Sequence, residues 1–177
     1  TRQAVMAAQT LVDEAYATVK VGEKIEVGEG KTVTYDEIQK LAEVKGTVSG
    51  VVLDNATDTK TPNKITTGTY IGVSYSKAIK INDIRFLLGA GKDHMDQAKL
   101  QYTTDGKTWK DLELTGMNNS FAGVRNQNQE VSVAKENLPK DFEAMGIRLI
   151  ATADNAADAW LQVNEITINK DENTDDG

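Results

Sequence analysis

Five side chains in the second half of the sequence are suited to binding a polar ligand. An indole ring offers a flat apolar face, arginine and amide groups present fixed hydrogen-bonding groups, and a neutral histidine can accept one hydrogen bond. All five lie in expected loops between strands, and such loops gather at the ends of a β structure. We therefore treat them as one candidate site. They are His94, Arg125, Asn126, Asn128 and Trp160.

Each of these residues also has an ordinary interpretation. A lone loop histidine is usually a solvated side chain, and an arginine usually pairs with a nearby carboxylate. Trp160 precedes Leu161 and could belong to the core. We expect Trp109, which follows a tight turn, to be a core residue. The binding interpretation therefore depends on the loops coming together around an accessible Trp160.

A second cluster, residues 53–61, crowds carboxylate and hydroxyl oxygens into one short segment. Hard cations such as Ca²⁺ take about six to eight oxygen ligands, several of them backbone carbonyls. The segment is therefore a candidate for a calcium loop. The alternative is a turn rich in Asp, Asn and Thr that hydrogen-bonds its own backbone.

The residue inventory argues against catalysis. The chain has one histidine and no cysteine, and it contains no nucleophile elbow, phosphate-binding glycine loop or paired-histidine metal motif. A pair of carboxylates could hydrolyse a glycosidic bond, but that mechanism also needs a substrate cleft, and most of the 27 acidic residues must cover the surface. We expect a protein that is not an enzyme.

The composition argues against two classes of binding partner. The 177 residues include 20 Lys and Arg against 27 Asp and Glu, so the net charge is −7 and no basic cluster stands out. Nucleic acids and anionic membranes attract basic surfaces, so we expect neither as a partner. No apolar run approaches the roughly 18 residues of a membrane span, so membrane insertion is not expected. The first residues do not form a signal peptide, and we expect a single module of a longer chain.

The elements that position these residues change type along the chain. Apolar residues at spacings of three and four predict a helix over residues 1–21. A glycine-containing, charged stretch with a short helix beginning near Thr34 predicts a linker over residues 22–46. Residues 170–177 form an acidic tail without core residues. The globular module is therefore expected over residues 47–169.

Within that module the apolar residues alternate with a period of two, which predicts many short strands. The Thr-Thr-Asp-Gly sequence at residues 103–106 predicts a hairpin turn. A change of phase before Ile166 predicts a β-bulge near Asn164. Many strands without intervening helices indicate an antiparallel β-sandwich. The alternating residues are Ile71, Val73, Tyr75, Ile79, Ile81, Ile84, Phe86, Leu88, Leu100, Tyr102, Val131, Val133, Ile147, Leu149, Ala151, Leu161, Val163, Ile166 and Ile168.

Three segments in one order, residues 70–86, 100–112 and 146–168, carry a family resemblance. Together they resemble the discoidin, or coagulation factor 5/8 type C, sandwich. In particular they resemble the family 32 carbohydrate-binding modules attached to bacterial glycosidases. The resemblance implies an all-β, discoidin-like jelly roll, to which the predicted helix of residues 1–21 would be an appendage.

The resemblance also implies roles for the two candidate sites. In such modules a His, an Arg, Asn side chains and a loop aromatic form the sugar site, which matches the five residues given above. A loop like residues 53–61 holds a structural calcium with a Glu near the last strand, and the choice between Thr59 and Thr61 stays open. The implied calcium ligands are Asp54, Asp58, Thr59 and Glu165.

We therefore expect a noncatalytic module that tethers a glycoside hydrolase to host or environmental glycans with terminal galactose, N-acetylgalactosamine or N-acetylglucosamine. The module would be monomeric within a secreted or cell-surface protein. The alternative is a discoidin-like adhesion module that binds protein or phospholipid.

Overall fold

The computed structural model describes residues 64–170 and, outside this range, residues 17–23, 33–34, 50–52, 55 and 57. These residues are almost entirely β structure. In chain order the strands are β1 (Ala17–Glu23), β2 (Val33–Thr34), β3 (Gly50–Val52), β4 (Thr69–Lys80), β5 (Ile84–Leu88), β6 (Gln97–Thr103), β7 (Lys110–Asp111), β8 (Phe121–Ala122), β9 (Gln129–Val133), β10 (Glu143–Ala151) and β11 (Val163–Ile168).

The strands form two antiparallel sheets. The larger sheet has the order β2-β1-β4-β10-β6-β7, and β8 also pairs with β6. The smaller sheet has the order β3-β11-β5-β9. The predicted antiparallel β-sandwich is therefore confirmed. In the described part of the chain the helical structure is a 3₁₀ turn at Lys135–Asn137, and no helix there is long and apolar enough to cross a membrane.

The core lies between the two sheets and contains the alternating residues that the sequence identified. Ile71 and Leu149 of the larger sheet are fully buried, as are Phe86 and Ile166 of the smaller sheet. Because successive side chains of a strand point to opposite faces, one face of each sheet forms this core and the other face points away from it.

Two local predictions are confirmed by the strand register. The pairing of β11 with β5 shifts between Val163 and Glu165, which places the bulge at Asn164. Strands β6 and β7 pair as a hairpin. In its turn the Asp105 carboxylate accepts hydrogen bonds from the backbone of Lys107 and Thr108, and these bonds hold the pKa of Asp105 below its usual range. The turn residues thus position the hairpin themselves.

The structure differs from the sequence prediction at the end of the N-terminal helix. Residues 17–23 form β1, which pairs with β4 along its whole length, from Ala17 opposite Tyr75 to Glu23 opposite Thr69. The prediction of a helix is therefore wrong for residues 17–21. Three of the five residues 17–21 are β-branched, and the apolar Ala17, Val19 and Val21 recur with a period of two. Both features suit a strand, and pairing with β4 satisfies its backbone groups.

The remaining N-terminal predictions lie mostly outside the described residues. Thr34, where the sequence placed the start of a short helix, ends the two-residue strand β2. Residues 1–16 and 35–46, like the tail from residue 171 onward, are outside the described part of the chain.

Candidate functional site

Three loops meet at one end of the sandwich, and the loop of residues 89–96 lies in the middle. On one side, Gly91 O accepts a hydrogen bond from the Asn126 backbone N at 2.8 Å. On the other side, the Asp93 carboxylate accepts a bond from the Trp160 backbone N at 3.4 Å. The expected gathering of the loops that carry the candidate residues is therefore observed.

A buried asparagine ties two of these loops together. Asn155 is 4% exposed, and its Nδ2 donates to His94 O at 2.6 Å. Its Oδ1 accepts from the Asp96 backbone N at 2.9 Å. Because the alternative is an unsatisfied buried amide, these bonds fix the loops relative to each other. Asn155 was not predicted to be a site residue, since an Asn in a loop gives no sign of its burial.

His94 is buried, with only 2% of the residue exposed. Its Nδ1 lies 2.8 Å from Gly89 O. A carbonyl can only accept, so the neutral ring carries its hydrogen on Nδ1 and leaves Nε2 as an acceptor. Nε2 has no hydrogen-bond partner among the described residues. His94 can therefore offer one acceptor but no exposed ring face.

Trp160 is one of two large apolar residues in the described chain that are exposed, at 50%. It borders an open pocket of about 580 Å³. The alternative interpretation, that Trp160 is a core residue, is therefore wrong. The other lining residues bring both positive and negative charges beside the indole, and none of them was predicted from the sequence. They are Lys64, Lys92, Asp93, Asp158 and Ala159.

The charged rim of the Trp160 pocket is partly paired. Lys64 Nζ lies 3.0 Å from an Asp158 carboxylate oxygen, and both side chains are well exposed. The hydrogen bond and charge of Lys64 lower the pKa of Asp158. An exposed pair of this kind contributes little stability, so it is available for exchange with ligand hydroxyls. Lys64 gave no sequence signal because its partner comes from a distant loop.

The other predicted residues lie on the neighbouring loop and do not line the Trp160 pocket. Arg125, Asn126 and Asn128 are exposed, and Arg125 forms no ion pair with the described residues. Asn126 adopts a left-handed backbone, with φ of 70°, that presents the loop to solvent. Asn128 Nδ2 donates to Leu88 O at 2.9 Å, so this amide is largely occupied in holding the loop.

Of the four predicted calcium ligands, only Glu165 lies in the described part of the chain. Its Oε1 accepts from Arg85 Nη1 at 2.6 Å and from Thr167 Oγ1 at 3.1 Å. Oε2 has no partner among the described residues, so one oxygen remains for a cation. Strand β3 ends at Val52, which pairs with Ile166, the residue after Glu165. In the described part, no group of three or more potential ligand side chains forms a metal site.

The expectation that Trp109 is a core residue is wrong. Trp109 is half-buried on the outer face of the larger sheet, where the Arg148 guanidinium lies 4.3 Å from its ring centroid. The short strand β7 that follows it has two residues, too few for alternation to indicate which face the indole occupies.

No protein-family model and no curated protein matches the chain. The structure is similar to a family 32 carbohydrate-binding module of a family 31 glycoside hydrolase from Clostridium perfringens, at a TM-score of 0.47 and 13% identity over 65% of this chain and 78% of that one. Another Clostridium perfringens family 32 module, solved with N-acetylgalactosamine-β-1,3-galactose, gives 0.43 and 13% over 87% and 94%. The family 32 module of Streptococcus pneumoniae EndoD gives 0.42 and 13% over 67% and 80%.

Proposed function

We propose that the chain is a noncatalytic carbohydrate-binding module whose ligand stacks on Trp160. The observation that carries this proposal is the half-exposed indole at the edge of an open pocket, with lysine and aspartate side chains around it. A sugar ring presents C–H groups on its faces and hydroxyls around its edge. The flat indole suits the faces, and the charged groups suit the hydroxyls.

The residues of the site then have distinct tasks. Trp160 supplies the platform, while Lys92 and Asp93 supply a donor and an acceptor at the pocket wall. Arg125, on the neighbouring loop, can reach hydroxyls of a second sugar unit. Few contacts are made in such a shallow site, so we expect a millimolar dissociation constant, about −4 to −5 kcal/mol. Several modules or sites in one protein would raise retention by multivalency.

The ligands we favour are glycans with terminal galactose, N-acetylgalactosamine or N-acetylglucosamine. In this proposal the module holds a secreted or cell-surface glycoside hydrolase on host or environmental glycans and works as a monomer. Residues 47–169 and β1 would form the module, and the tail would lead onward in a longer chain.

Calorimetric titration with these three sugars tests the proposal. Trp160→Ala should abolish measurable binding because the stacking surface is gone, and Trp160→Phe should retain part of it. Since the side chain is half-exposed, both variants should keep the wild-type melting temperature within a few degrees. Unchanged sugar binding by Trp160→Ala would refute this site.

Arg125→Ala provides a second, independent measurement on the neighbouring loop. We expect it to weaken binding of a disaccharide more than that of a monosaccharide. Lys135→Ala, an equal loss of charge in the exposed 3₁₀ turn, is the matched control and should leave both affinities unchanged.

We also propose a structural calcium bound by Asp54, Asp58, Thr59 and Glu165. The unpartnered Oε2 of Glu165 among the described residues and the pairing of Val52, at the end of β3, with Ile166 support it, and the Arg85 ion pair on the other carboxylate oxygen opposes it. When bound, calcium would link the segment after β3 to β11 without contacting the sugar.

One observation favours a second candidate, the phospholipid-binding adhesion module. Val124 is 53% exposed on a loop at the same end as Trp160, and Arg125 and Lys92 lie nearby in sequence on the two loops. Exposed apolar residues with basic neighbours can enter a lipid interface. Sedimentation with phosphatidylserine vesicles distinguishes the candidates. Binding that is lost in Val124→Ala but kept with excess sugar would favour the membrane.

A further inference from the structure

A second concave surface lies on the outer face of the larger sheet, away from the Trp160 pocket. This sheet-face cleft has a volume of about 390 Å³, within the range of small-ligand sites. It shares no described lining residue with the Trp160 pocket. Its walls include Thr67, Lys99, Gln101, Arg148, Ile150 and Thr152.

The notable feature of the cleft is a buried cation without a carboxylate partner. Arg148 is 6% exposed, and no acidic side chain of the described chain forms an ion pair with it. Its guanidinium lies between two aromatic rings, with Cζ 4.3 Å from the Trp109 centroid and 5.0 Å from that of Tyr70. Burial lowers the pKa of Arg148 to about 10, with a smaller opposing effect of Tyr70, so the group is charged at neutral pH.

Neighbouring side chains fix the direction in which this charge points. Gln101 Oε1 accepts from Arg148 Nε at 2.9 Å and from Nη2 at 2.7 Å. The amide is itself oriented, because Gln101 Nε2 donates to Asp111 Oδ1 at 2.9 Å. Asp111 also pairs with Lys99 at 3.0 Å. The described residues that line the cleft therefore include two cations, Arg148 and Lys99, and no carboxylate. At its edge the Asp111 carboxylate pairs with Lys99, and the Asp154 carboxylate accepts from Thr67 Oγ1 at 2.9 Å.

One edge of the guanidinium remains available. Nη1 of Arg148 has no hydrogen-bond partner among the described residues, and it is not among their fully buried unpaired atoms. Buried charges are normally paired, and a guanidinium recognises a carboxylate through two parallel hydrogen bonds. The polar rim of Thr67 and Thr152 and the apolar wall of Ile150 suit the rest of a sugar ring.

We propose that the sheet-face cleft is a second binding site, which takes the carboxylate of an acidic sugar such as a uronic acid. It is independent of the sugar site at Trp160, and the two can fail separately. The test is an NMR titration of the protein with glucuronic acid and galacturonic acid, alongside their uncharged methyl esters.

The acids should shift backbone signals of β6 and β10 with millimolar affinity, and the esters should bind at least ten-fold more weakly. Thr152→Glu places a carboxylate at the exposed rim and should weaken acid binding at least ten-fold. Thr104→Glu, the same change on the exposed hairpin turn, is the matched control and should bind as wild type. Lys99→Gln should weaken binding several-fold by removing one positive charge.

Trp160→Ala should retain acid binding, which separates this site from the sugar site. The proposal is overturned if the acids do not bind. It is also overturned if acid and ester bind equally, or if Thr152→Glu, folded by circular dichroism, binds the acids as wild type does.

Discussion

Gly123 tests how tightly the loop of residues 123–128 is packed against His94. A Cβ built at Gly123 would lie 2.2 Å from His94 Cδ2 and 2.5 Å from the Met95 carbonyl oxygen. To restore ordinary contact the imidazole must move by roughly 1 Å, yet its Nδ1 is bonded to Gly89 O. The Met95 carbonyl is backbone, and the Met95 N is held by Gln129 Oε1 at 2.9 Å. Neither the His94 ring nor the Met95 carbonyl can therefore move at a small cost in free energy.

We therefore expect Gly123→Ala to lower the free energy of unfolding by about 1–3 kcal/mol, the usual cost of overpacking. Urea unfolding measures this cost. The chain has a single histidine, so its ring NMR signals report the displacement without ambiguity. Because hydrogen bonds connect the loop of His94 to the neighbouring loops of the candidate site, we expect sugar affinity to fall as well.

Gly106→Ala is the control, since it lies in the distant β6–β7 turn and its added Cβ would make only ordinary contacts. Its backbone φ of 78° should cost about 1–2 kcal/mol for conformational reasons, and sugar affinity should not change. Wild-type stability and unmoved histidine signals in Gly123→Ala would refute the packing argument. A stability loss with unchanged sugar affinity would remove His94 from the binding site.

Three further predictions follow from the sheets and their turns. Chelation should lower the melting temperature without changing sugar affinity if Glu165 helps to hold calcium, because a metal bound only by the native state stabilises by mass action; a calcium-free protein by elemental analysis would contradict this. Deleting residues 1–23 should lower the melting temperature because β4 loses its β1 partner, whereas deleting residues 1–16 should not; equal melting of both deletions would contradict the pairing. Asp105→Asn should lower the stability of the protein at pH values above 3.8, the ordinary carboxyl pKa. The difference in stability from wild type should shrink as the pH falls below 3.8, since a group with a lowered pKa stabilises the fold only while it is charged. Thermal melts across this pH range measure the difference.

The sequence predicted most of the sandwich because its strands are half-buried. Alternation at Ile71 and Val73 or at Phe86 and Leu88 marks the core face directly, and a change of phase located the bulge at Asn164. Prediction failed where the pattern was short. Residues 17–21 fit both the end of a helical stripe and a strand, and only the pairing with β4 decides between them.

The candidate site was predictable only in its loops. Glycine and polar residues marked the segments around His94 and Arg125, and the sandwich fold implied that loops meet at its ends. Which side chains face the pocket depends on contacts between distant segments. The Lys64–Asp158 ion pair and the burial of Asn155 both depend on such distant contacts, so no local sequence pattern predicts them.

The division between buried and exposed polar groups explains how a shallow site can bind at all. Buried amides such as Asn155 and Gln129 form hydrogen bonds with backbone atoms of neighbouring segments. These bonds fix the loops at this end of the sandwich before any ligand binds. Trp160 is likewise positioned through its own backbone by Asp93. A preformed platform needs no ordering on binding, so a few weak contacts are not offset by a large loss of entropy. Substitutions of the buried amides should therefore change stability first, and substitutions of the exposed indole should change affinity alone.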